Sequence, residues 1–284
     1  ALSGEHYFLE ESRFGYDQKT HKIEVGKPIG QFYGYKTLGL YQVEDFDYNA
    51  KDQTYTLKEG IPYMSGTFNR SDIRPGMWKF DDRNGDKVID DSDMSVIGNA
   101  NPDFYGGLNN QFKYKGWDFN FFFTFSYGGE VLNATKLTNT KTATTNYSVL
   151  NIADSSNRWM TVNSEGQLIT DPEEMAAINA GRTVACIYDM EAGDKYIHSW
   201  AVEDASYLRL SNVNLGYTFD RKKLRNFNIQ SLRLYFTGSN LFVWTPYSGF
   251  DPEVSTKGNN LTPGVDYGAY PRNRSYVFGL NITF

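Results

Sequence analysis

The chain has 284 residues, a formal net charge of −6 and 16% aromatic residues, yet its mean hydropathy is −0.55. An acidic chain lacks the basic stripe that replaces phosphate counterions, which excludes nucleic acid as a partner. A single cysteine, Cys186, excludes an internal disulfide. A chain that is polar on average and rich in aromatics favours strands with one apolar and one wet face, as in a transmembrane barrel.

The first residues, Ala1 to His6, contain neither the basic start nor the apolar run of a signal peptide. An exported protein needs one, so we expect the chain to be part of a longer protein. No stretch approaches the ~18 consecutive apolar residues that a spanning helix requires, so any membrane crossing must use strands.

Seven segments are predicted as strands from their period-two alternation, which is poor in the first two. They are 7–16, 32–41, 104–114, 117–127, 207–219, 232–242 and 276–284. The fourth extends ~36 Å at ~3.3 Å per residue, and tilted by ~45° it covers an apolar band of ~25 Å. Lys115–Gly116 predicts a tight hairpin, and a phase shift between Leu210 and Val213 predicts a bulge.

Two of these strands carry the residues that we predict to face lipid, because alternate positions in them are apolar. The set is Trp117, Phe119, Phe121, Phe123, Phe125, Tyr276, Phe278, Leu280, Ile282 and Phe284. The intervening polar positions, such as Asp118, Asn120, Asn214 and Asn281, would line and hydrate the lumen.

The connections alternate between short turns and long loops, as in barrels with short periplasmic turns and long extracellular loops. The long ones, 43–103, 128–206 and 243–273, are therefore predicted to be extracellular. Bacterial barrels have an even number of strands, eight or more. An open sheet edge in lipid would leave its backbone N–H and C=O groups without hydrogen-bond partners. Seven or eight strands therefore predict an all-β, antiparallel, partial barrel that N-terminal strands outside this chain complete.

Six groups of short motifs follow one another in an order that points to one family. They are VGKPIGQFYGY at 25–35, RPG at 74–76 with DRNGD at 82–86, IGNANPDFYGG at 97–107, ASYLRL at 205–210 with NLGY at 214–217, NLF at 240–242 with YSGFDPE at 247–253, and YPRNRS at 270–275. Over essentially its whole length, the chain resembles the C-terminal barrel region of SusC/RagA-type TonB-linked outer-membrane proteins of Gram-negative bacteria.

The resemblance implies a 22-stranded barrel with an N-terminal plug, driven by TonB. It also implies a SusD-like surface lipoprotein that passes glycan or peptide to the extracellular loops. The plug and the N-terminal strands lie outside this chain, so we expect that the chain alone transports nothing.

An acidic loop has the side-chain spacing of an EF-hand-like calcium site. Its candidate ligands are Asp82, Asn84, Asp86, Val88 (through its carbonyl), Asp90 and Asp93. Lys87 stands where glycine normally permits the sharp turn, and the last ligand is Asp rather than the longer Glu. Either a structural Ca²⁺ or a simply solvated acidic turn fits this pattern.

Five aromatic residues in or beside the long loops are candidates for stacking on substrate or packing against a partner. They are Trp159, Trp200, Trp244, Tyr247 and Phe250. Packing of the loops against themselves is the alternative for each of them.

No nucleophile, zinc-protease or nucleotide-binding motif is present, and the three histidines share no ligand spacing, so the sequence predicts no enzyme. Two alternatives to the importer stay open. One is a soluble, calcium-dependent carbohydrate-binding β-domain, which would bury its aromatic faces against a second sheet. The other is a barrel that kept this architecture without any cargo.

Overall fold

The computed structural model describes residues 6–10, 19–65, 68–140, 149–186, 196–224, 226, 228–256 and 260–284. The chain divides into two compact units. One, called here the mixed unit, comprises 1–100, 132–202 and 256–267; the other, the sheet unit, comprises 101–131, 203–255 and 268–284. Within the described ranges, no helix combines the length and the apolarity needed to cross a bilayer.

The mixed unit contains short strands and short helices. Its strands are β1 (His6–Glu10), β2 (Lys19–Glu24), β3 (Gln31–Gly34), β4 (Thr37–Leu40), β5 (Phe46–Asn49), β6 (Thr54–Leu57), β7 (Tyr63–Met64), β8 (Trp78–Phe80), β9 (Val88–Ile89), β10 (Ser95–Asn99) and β17 (Val265–Asp266). Its α-helices are α1 (Ala134–Asn139) and α2 (Pro172–Asn179), and its 3-10 turns are Val43–Asp45, Arg70–Asp72, Asp91–Asp93, Asn151–Ala153 and Ser199–Ala201. Strands β13 (Glu130–Asn133) and β14 (Val202–Asp204) have residues in both units, because a division between the units falls within each of them.

These strands pair into small sheets rather than one large one. One sheet has the order β1–β2–β3–β10, and the pairs β4–β8, β5–β6 and β7–β9 are separate. Side chains from many of them form the main core, with Tyr41, Trp78 and Trp159 among its buried aromatics. Residues 43–103, predicted as one loop, therefore contain six strands and fold into a packed unit.

The sheet unit is one five-stranded antiparallel sheet in the order β11–β12–β15–β16–β18. Its strands are β11 (Phe104–Tyr114), β12 (Trp117–Tyr127), β15 (Tyr207–Thr218), β16 (Ser231–Trp244) and β18 (Ser275–Thr283), and a single helical turn, α3 (Arg221–Leu224), lies between β15 and β16. The sequence predicted all five strands with ends correct to within two residues. Strict alternation over nine or more residues gives an unambiguous strand signal.

The turn between β11 and β12 has two residues, as predicted. Lys115 has φ +43° and Gly116 φ +91°, the pair of positive values that a type I′ hairpin turn requires. A Cβ on Gly116 would lie 2.6 Å from the carbonyl oxygen of Thr218. Glycine is therefore required here both for its φ and for the space.

The predicted bulge is also present. Phe122 pairs with Asn212 and Phe123 with Leu210, so Ser211 is the extra residue on β15. The neighbouring strand β16 takes up a further shift at the same level, where Asn240 has φ +52°. The bulge restores the phase of β15, so its apolar side chains stay on one face of the sheet along its whole length.

Of the first two predicted strands, one is described only in part and the other is not found as a single strand. Of the segment 7–16, the structure describes residues 6–10 as β1, and 11–16 lie outside the described residues. The prediction of one strand at 32–41 is wrong, since β3 and β4 belong to different sheets. The backbone leaves β3 at Tyr35, whose N–H donates to the carbonyl of Ile197 at 2.9 Å. A Cβ on Gly34 would lie 2.3 Å from that oxygen, so the close approach needs glycine.

A histidine lies at the centre of the mixed unit. The His198 ring is completely buried, with ring centroids 4.7 Å from Trp78 and 5.4 Å from Phe80, and it stacks on Trp200 at 6.2 Å. Neither ring nitrogen has a hydrogen-bond partner among the described residues. Burial, helped by the charge of Lys136, lowers the pKa of His198 to about 3.

Candidate functional site

The sheet unit has one apolar and one polar face, because directly paired residues point to the same side of a sheet. Along one row of partners, Phe119 pairs with Leu215, Leu215 with Phe236, and Phe236 with Phe278. The rows above and below it repeat the pattern. The apolar face also includes Phe104, Leu108, Phe112, Tyr114, Trp117, Phe121, Phe123, Phe125, Tyr127, Leu208, Leu210, Val213, Tyr217, Leu232, Leu234, Phe242, Trp244, Tyr276, Leu280 and Ile282.

Nine of the ten residues predicted to face lipid lie on this apolar face, and Phe284 directly follows the end of β18. Aromatic rings pair across the strands, with centroids 5.0 Å apart for Phe236 and Phe278 and 6.3 Å for Phe112 and Phe119. Phe278 is 80% exposed, and Leu280 and Tyr276 are also exposed. A continuous exposed apolar sheet face of this size requires a nonpolar surrounding or partner.

The opposite face carries hydrogen-bonded polar side chains. Asn120 donates to Asn109 at 2.8 Å, and Thr237 donates to the side-chain oxygen of Asn214 at 2.8 Å. The hydroxyls of Thr124 and Ser211 are 2.7 Å apart. These links run across neighbouring strands, so this face is a wetted wall whose side chains hold one another in place.

An ion pair crosses the same polar face over a glycine. Arg233 on β16 donates to Asp118 on β12 at 2.6 Å, passing over β15 at Gly216. A Cβ on Gly216 would lie 2.4 Å from the Arg233 guanidinium and 2.6 Å from the Asp118 carboxylate. Gly216 thus leaves the space in which a charge pair two strands apart can meet.

A buried charge network ties three residues that lie between β16 and β18 to β15. Arg209, only 3% exposed, donates to Asp251 at 2.6 Å, and its Nε lies 2.9 Å from a Glu253 oxygen. Arg272 approaches the other oxygen of Glu253 at 3.2 Å. The sequence comparison used these positions only as family motifs. Their physical role is to hold Asp251, Glu253 and Arg272 beside β15, and pairing across 42 residues gives no signal in a sequence pattern.

The five candidate loop aromatics separate into buried and exposed ones. Trp159 is 2% exposed in the main core, where its ring covers Gly76, and Tyr247 is 5% exposed with its ring against Gly249. The prediction of a surface role is therefore wrong for these two, since core packing takes up their rings. Trp200 is half-buried, with the Lys136 ammonium 4.1 Å from its ring centre. Trp244 and Phe250 are exposed, and their substrate or partner role stays a prediction.

The predicted calcium loop is a turn closed by its own carboxylates. Asp82 accepts hydrogen bonds from the N–H groups of Gly85 and Lys87, and Asp93 accepts those of Arg83, Asn84 and Asp90. In the same way, side-chain oxygens of Asn84, Asp86 and Asp90 accept hydrogen bonds from the N–H groups of Asp86, Val88 and Ser92, respectively. Hydrogen bonds from the hydroxyl and then the N–H of Ser92 lower the pKa of Asp90.

Lys87 has φ +71°, so the backbone makes the sharp turn even without glycine at this position. Within the part of the chain that the structure describes, no three His, Cys, Asp or Glu side chains are grouped closely enough to hold a metal ion. The structure thus shows the turn but not an assembled ligand set, and calcium binding by this loop stays a prediction.

Comparison with known proteins supports the family. No family model matches the chain. The chain is 33% identical over 99% of its length to TonB-dependent receptor P3 of Formosa agariphila, and 30% identical over 95% to receptor P39 of the same organism. It is also 29% identical over 72% of its length to TonB-dependent receptor SusC of Bacteroides thetaiotaomicron. It spans about a quarter of the length of the two Formosa receptors.

The fold has a counterpart among solved structures. The RagAB peptide importer in its "closed-closed" state matches the whole chain with a TM-score of 0.60 at 19% identity, over 25% of the importer chain. A structure of the RagAB peptide transporter matches it with a TM-score of 0.58 at 18% identity. The curated relatives are receptors rather than enzymes, which confirms the prediction of no enzyme. The chain belongs to the TonB-dependent receptors related to SusC, β-barrel proteins of the Gram-negative outer membrane.

Proposed function

We propose that this chain supplies wall strands and surface segments of a TonB-dependent importer that carries glycans or peptides across the outer membrane. The observation that carries the proposal is the amphipathic five-stranded sheet, with one predominantly apolar face and one hydrogen-bonded polar face. In a barrel wall the apolar face meets hydrocarbon and the polar face meets the lumen. The TonB contact belongs to the part of the protein outside this chain.

We further propose that a SusD-like lipoprotein hands the substrate to this protein. The resemblance to SusC/RagA proteins and the similarity to receptor SusC support the partnership. One structural neighbour is a peptide importer, which supports peptide as one substrate class. The exposed aromatic Phe250 is the surface residue of this chain that we assign to contact with substrate or with the lipoprotein, whereas Trp244 lies on the apolar face of the sheet.

The soluble carbohydrate-binding alternative agrees less well with the structure. It requires the aromatic faces to pack against a second sheet. Instead, Tyr276, Phe278 and Leu280 on β18 are exposed, as are Phe104 and Phe112 on β11. The family relationship also favours the importer over a soluble domain.

Arginine placed on the apolar face tests the assignment. Phe123→Arg places a charge near the middle of β12, which costs about 2–4 kcal/mol at the bilayer midplane. We expect the full-length variant to fail in outer-membrane assembly, measured by the heat-modifiable migration of the membrane fraction on gels. Asn281→Arg, on the polar face of β18, is the matched control and should assemble. Normal assembly of the Phe123 variant would refute the lipid-facing assignment.

Uptake then separates an importer from a barrel without cargo. Cells that carry the full-length gene should accumulate labelled oligopeptides or oligosaccharides, and a strain with the gene deleted should not. Equal uptake by the two strains for both classes would refute the import function.

A further inference from the structure

A cavity in the mixed unit lies beside an open strand edge. Its volume is about 510 Å³. Its lining includes Tyr55, Asp72, Arg74, Ile169, Thr170 and Met175. All of these residues belong to the mixed unit, and neither the lipid-facing nor the polar face of the sheet unit contributes to it.

The hydrogen bonds between β5 and β6 fix which way each residue of β6 faces. In an antiparallel pair, directly opposed residues alternate between hydrogen-bonded and non-hydrogen-bonded. The N–H of Lys58 donates to the carbonyl of Asp45 at 3.0 Å, one step beyond the pair Phe46–Leu57. The pair Asp45–Lys58 is therefore hydrogen-bonded. So are the pairs two and four residues further along β5, which are Asp47–Thr56 and Asn49–Thr54.

It follows that Tyr55 and Leu57 direct their backbone groups away from β5. An independent contact confirms the direction for Leu57, whose carbonyl accepts a hydrogen bond from the Arg70 guanidinium at 3.4 Å. No hydrogen bond within the described residues reaches the backbone N–H or carbonyl of Tyr55 from that side. Tyr55 also lines the cavity, so its free donor and acceptor lie on the open edge of β6 next to that space.

The side chains around this edge are held in place. The Tyr55 hydroxyl donates to the carbonyl of Thr170 at 3.3 Å, and burial raises the pKa of this phenol to about 12. Met175 is buried on α2, whose first turn is capped by the Asp171 side chain accepting the N–H of Glu174. The cavity beside the edge is therefore preformed.

The chemistry of the lining selects the class of ligand. An unpaired strand edge binds an extended polypeptide, because the peptide backbone supplies donors and acceptors at the strand spacing. Buried Ile169 and Met175 provide an apolar floor for one side chain of that peptide. Asp72 and Arg74 put charges of both signs at the rim, and hydrogen bonds from Asn69 lower the pKa of Asp72, so it is ionised at neutral pH. A sugar would need a flat aromatic face, and the ring of Tyr55 already packs against the rings of Tyr48 and Phe46, at centroid distances of 4.9 and 6.2 Å.

We propose that the open edge of β6 binds an extended peptide by backbone pairing at Tyr55, with one apolar side chain of the peptide in the adjoining cavity. This deepens the proposed function, on which it rests for its biological meaning, by naming peptide as the class of substrate that this site receives.

The test uses purified full-length protein in detergent and a fluorescein-labelled heptapeptide, Gly-Thr-Leu-Thr-Val-Thr-Gly. Tyr55→Pro removes the outward N–H without breaking a β5–β6 hydrogen bond, and Tyr55→Val removes the same ring but keeps the N–H. We expect anisotropy titrations to show binding by Tyr55→Val within about threefold of the natural protein, and binding at least tenfold weaker for Tyr55→Pro. Equal binding by the two variants would overturn the proposal.

Amide hydrogen exchange of the unaltered protein decides the matter if Tyr55→Pro misfolds. Saturating heptapeptide should slow exchange at the Tyr55 amide at least fivefold, while maltoheptaose and a heptapeptide N-methylated at alternate residues should not. Unchanged exchange at Tyr55, or the same protection with maltoheptaose, would overturn the proposal. Binding is measured without transport, so protection at Tyr55 in a protein that imports nothing would refute the proposed function alone.

Discussion

Acidification should weaken the mixed unit through His198. The ring is neutral in the folded protein because burial lowers its pKa to about 3, whereas an unfolded histidine titrates near 6.5. Since the folded pKa is depressed, the unfolded state takes up the proton first. The stabilising effect of the neutral ring is therefore complete above pH 6.5 and is lost as the pH falls towards 3.

The magnitude follows from the size of this window. Each pH unit between the two pKa values removes about 1.4 kcal/mol of unfolding free energy. Lowering the pH from 7 to 5 should therefore remove about 2 kcal/mol, a result that requires only a folded pKa below 5. His198→Phe keeps an aromatic ring between Trp78, Phe80 and Trp200 but carries no titrating group. It also removes two buried nitrogens without partners, each of which costs about 1–3 kcal/mol.

Hydrogen exchange measured by mass spectrometry can isolate this effect in the full-length protein. The quantity compared is the exchange rate of fragments covering β8 and residues 197–202 in the natural protein, divided by the rate of the same fragments in His198→Phe. This ratio should be about 30-fold larger at pH 5 than at pH 7. Comparing the two proteins at each pH cancels the intrinsic pH dependence of exchange. If the two proteins show parallel pH profiles, the ring nitrogens are in contact with water or a partner, and the burial argument is wrong.

Three further predictions concern the sheet unit and the acidic loop. Gly216→Val should lower the free energy of unfolding in urea by about 1–3 kcal/mol, because the valine side chain would displace the ion pair of Asp118 and Arg233. The loss should be smaller in an Asp118→Ala background, and an equal loss there would contradict the steric reason. Arg209→Ala leaves Asp251 buried without its cation, at a cost of about 3–5 kcal/mol, and should increase limited proteolysis next to Asp251 and Glu253. Unchanged cleavage there would contradict the anchoring role. If the sequence prediction of calcium holds, 1 mM Ca²⁺ should raise the melting temperature relative to EDTA, and Asp86→Asn should remove the increase; equal melting temperatures would identify the loop as a self-capped turn.

The sheet unit could be predicted from the sequence because its strands are long and its two faces differ in polarity. Trp117–Tyr127 alternates over eleven residues, and the phase shift after Leu210 even indicates where the bulge lies. In a sheet with one apolar face, a slip by one residue would exchange the two faces. The register is therefore contained in the local pattern.

The mixed unit could not be predicted in the same way. Its strands have two to six residues, too few for a periodic signal, and their ends depend on distant partners. Tyr35 leaves β3 because Ile197 offers it a carbonyl, and Trp159 is buried because Gly76 leaves space for its ring. A loop tryptophan and a core tryptophan have the same local sequence signature, so only the packing distinguishes them.

The difference between a local pattern and a distant contact also explains which parts of the candidate sites the sequence did not predict. A lipid-facing residue is defined by its neighbours two positions away, so period two identifies Phe121 and Phe123. The anchoring of Arg209 to Asp251 and the open edge at Tyr55 are defined by pairing partners instead. Nothing in the four residues of β6 shows that Tyr55 turns its N–H away from β5; the hydrogen bond from Lys58 to Asp45 does. Binding edges in this chain therefore have to be found from the register of the strands, whereas its membrane face can be found from residue types alone.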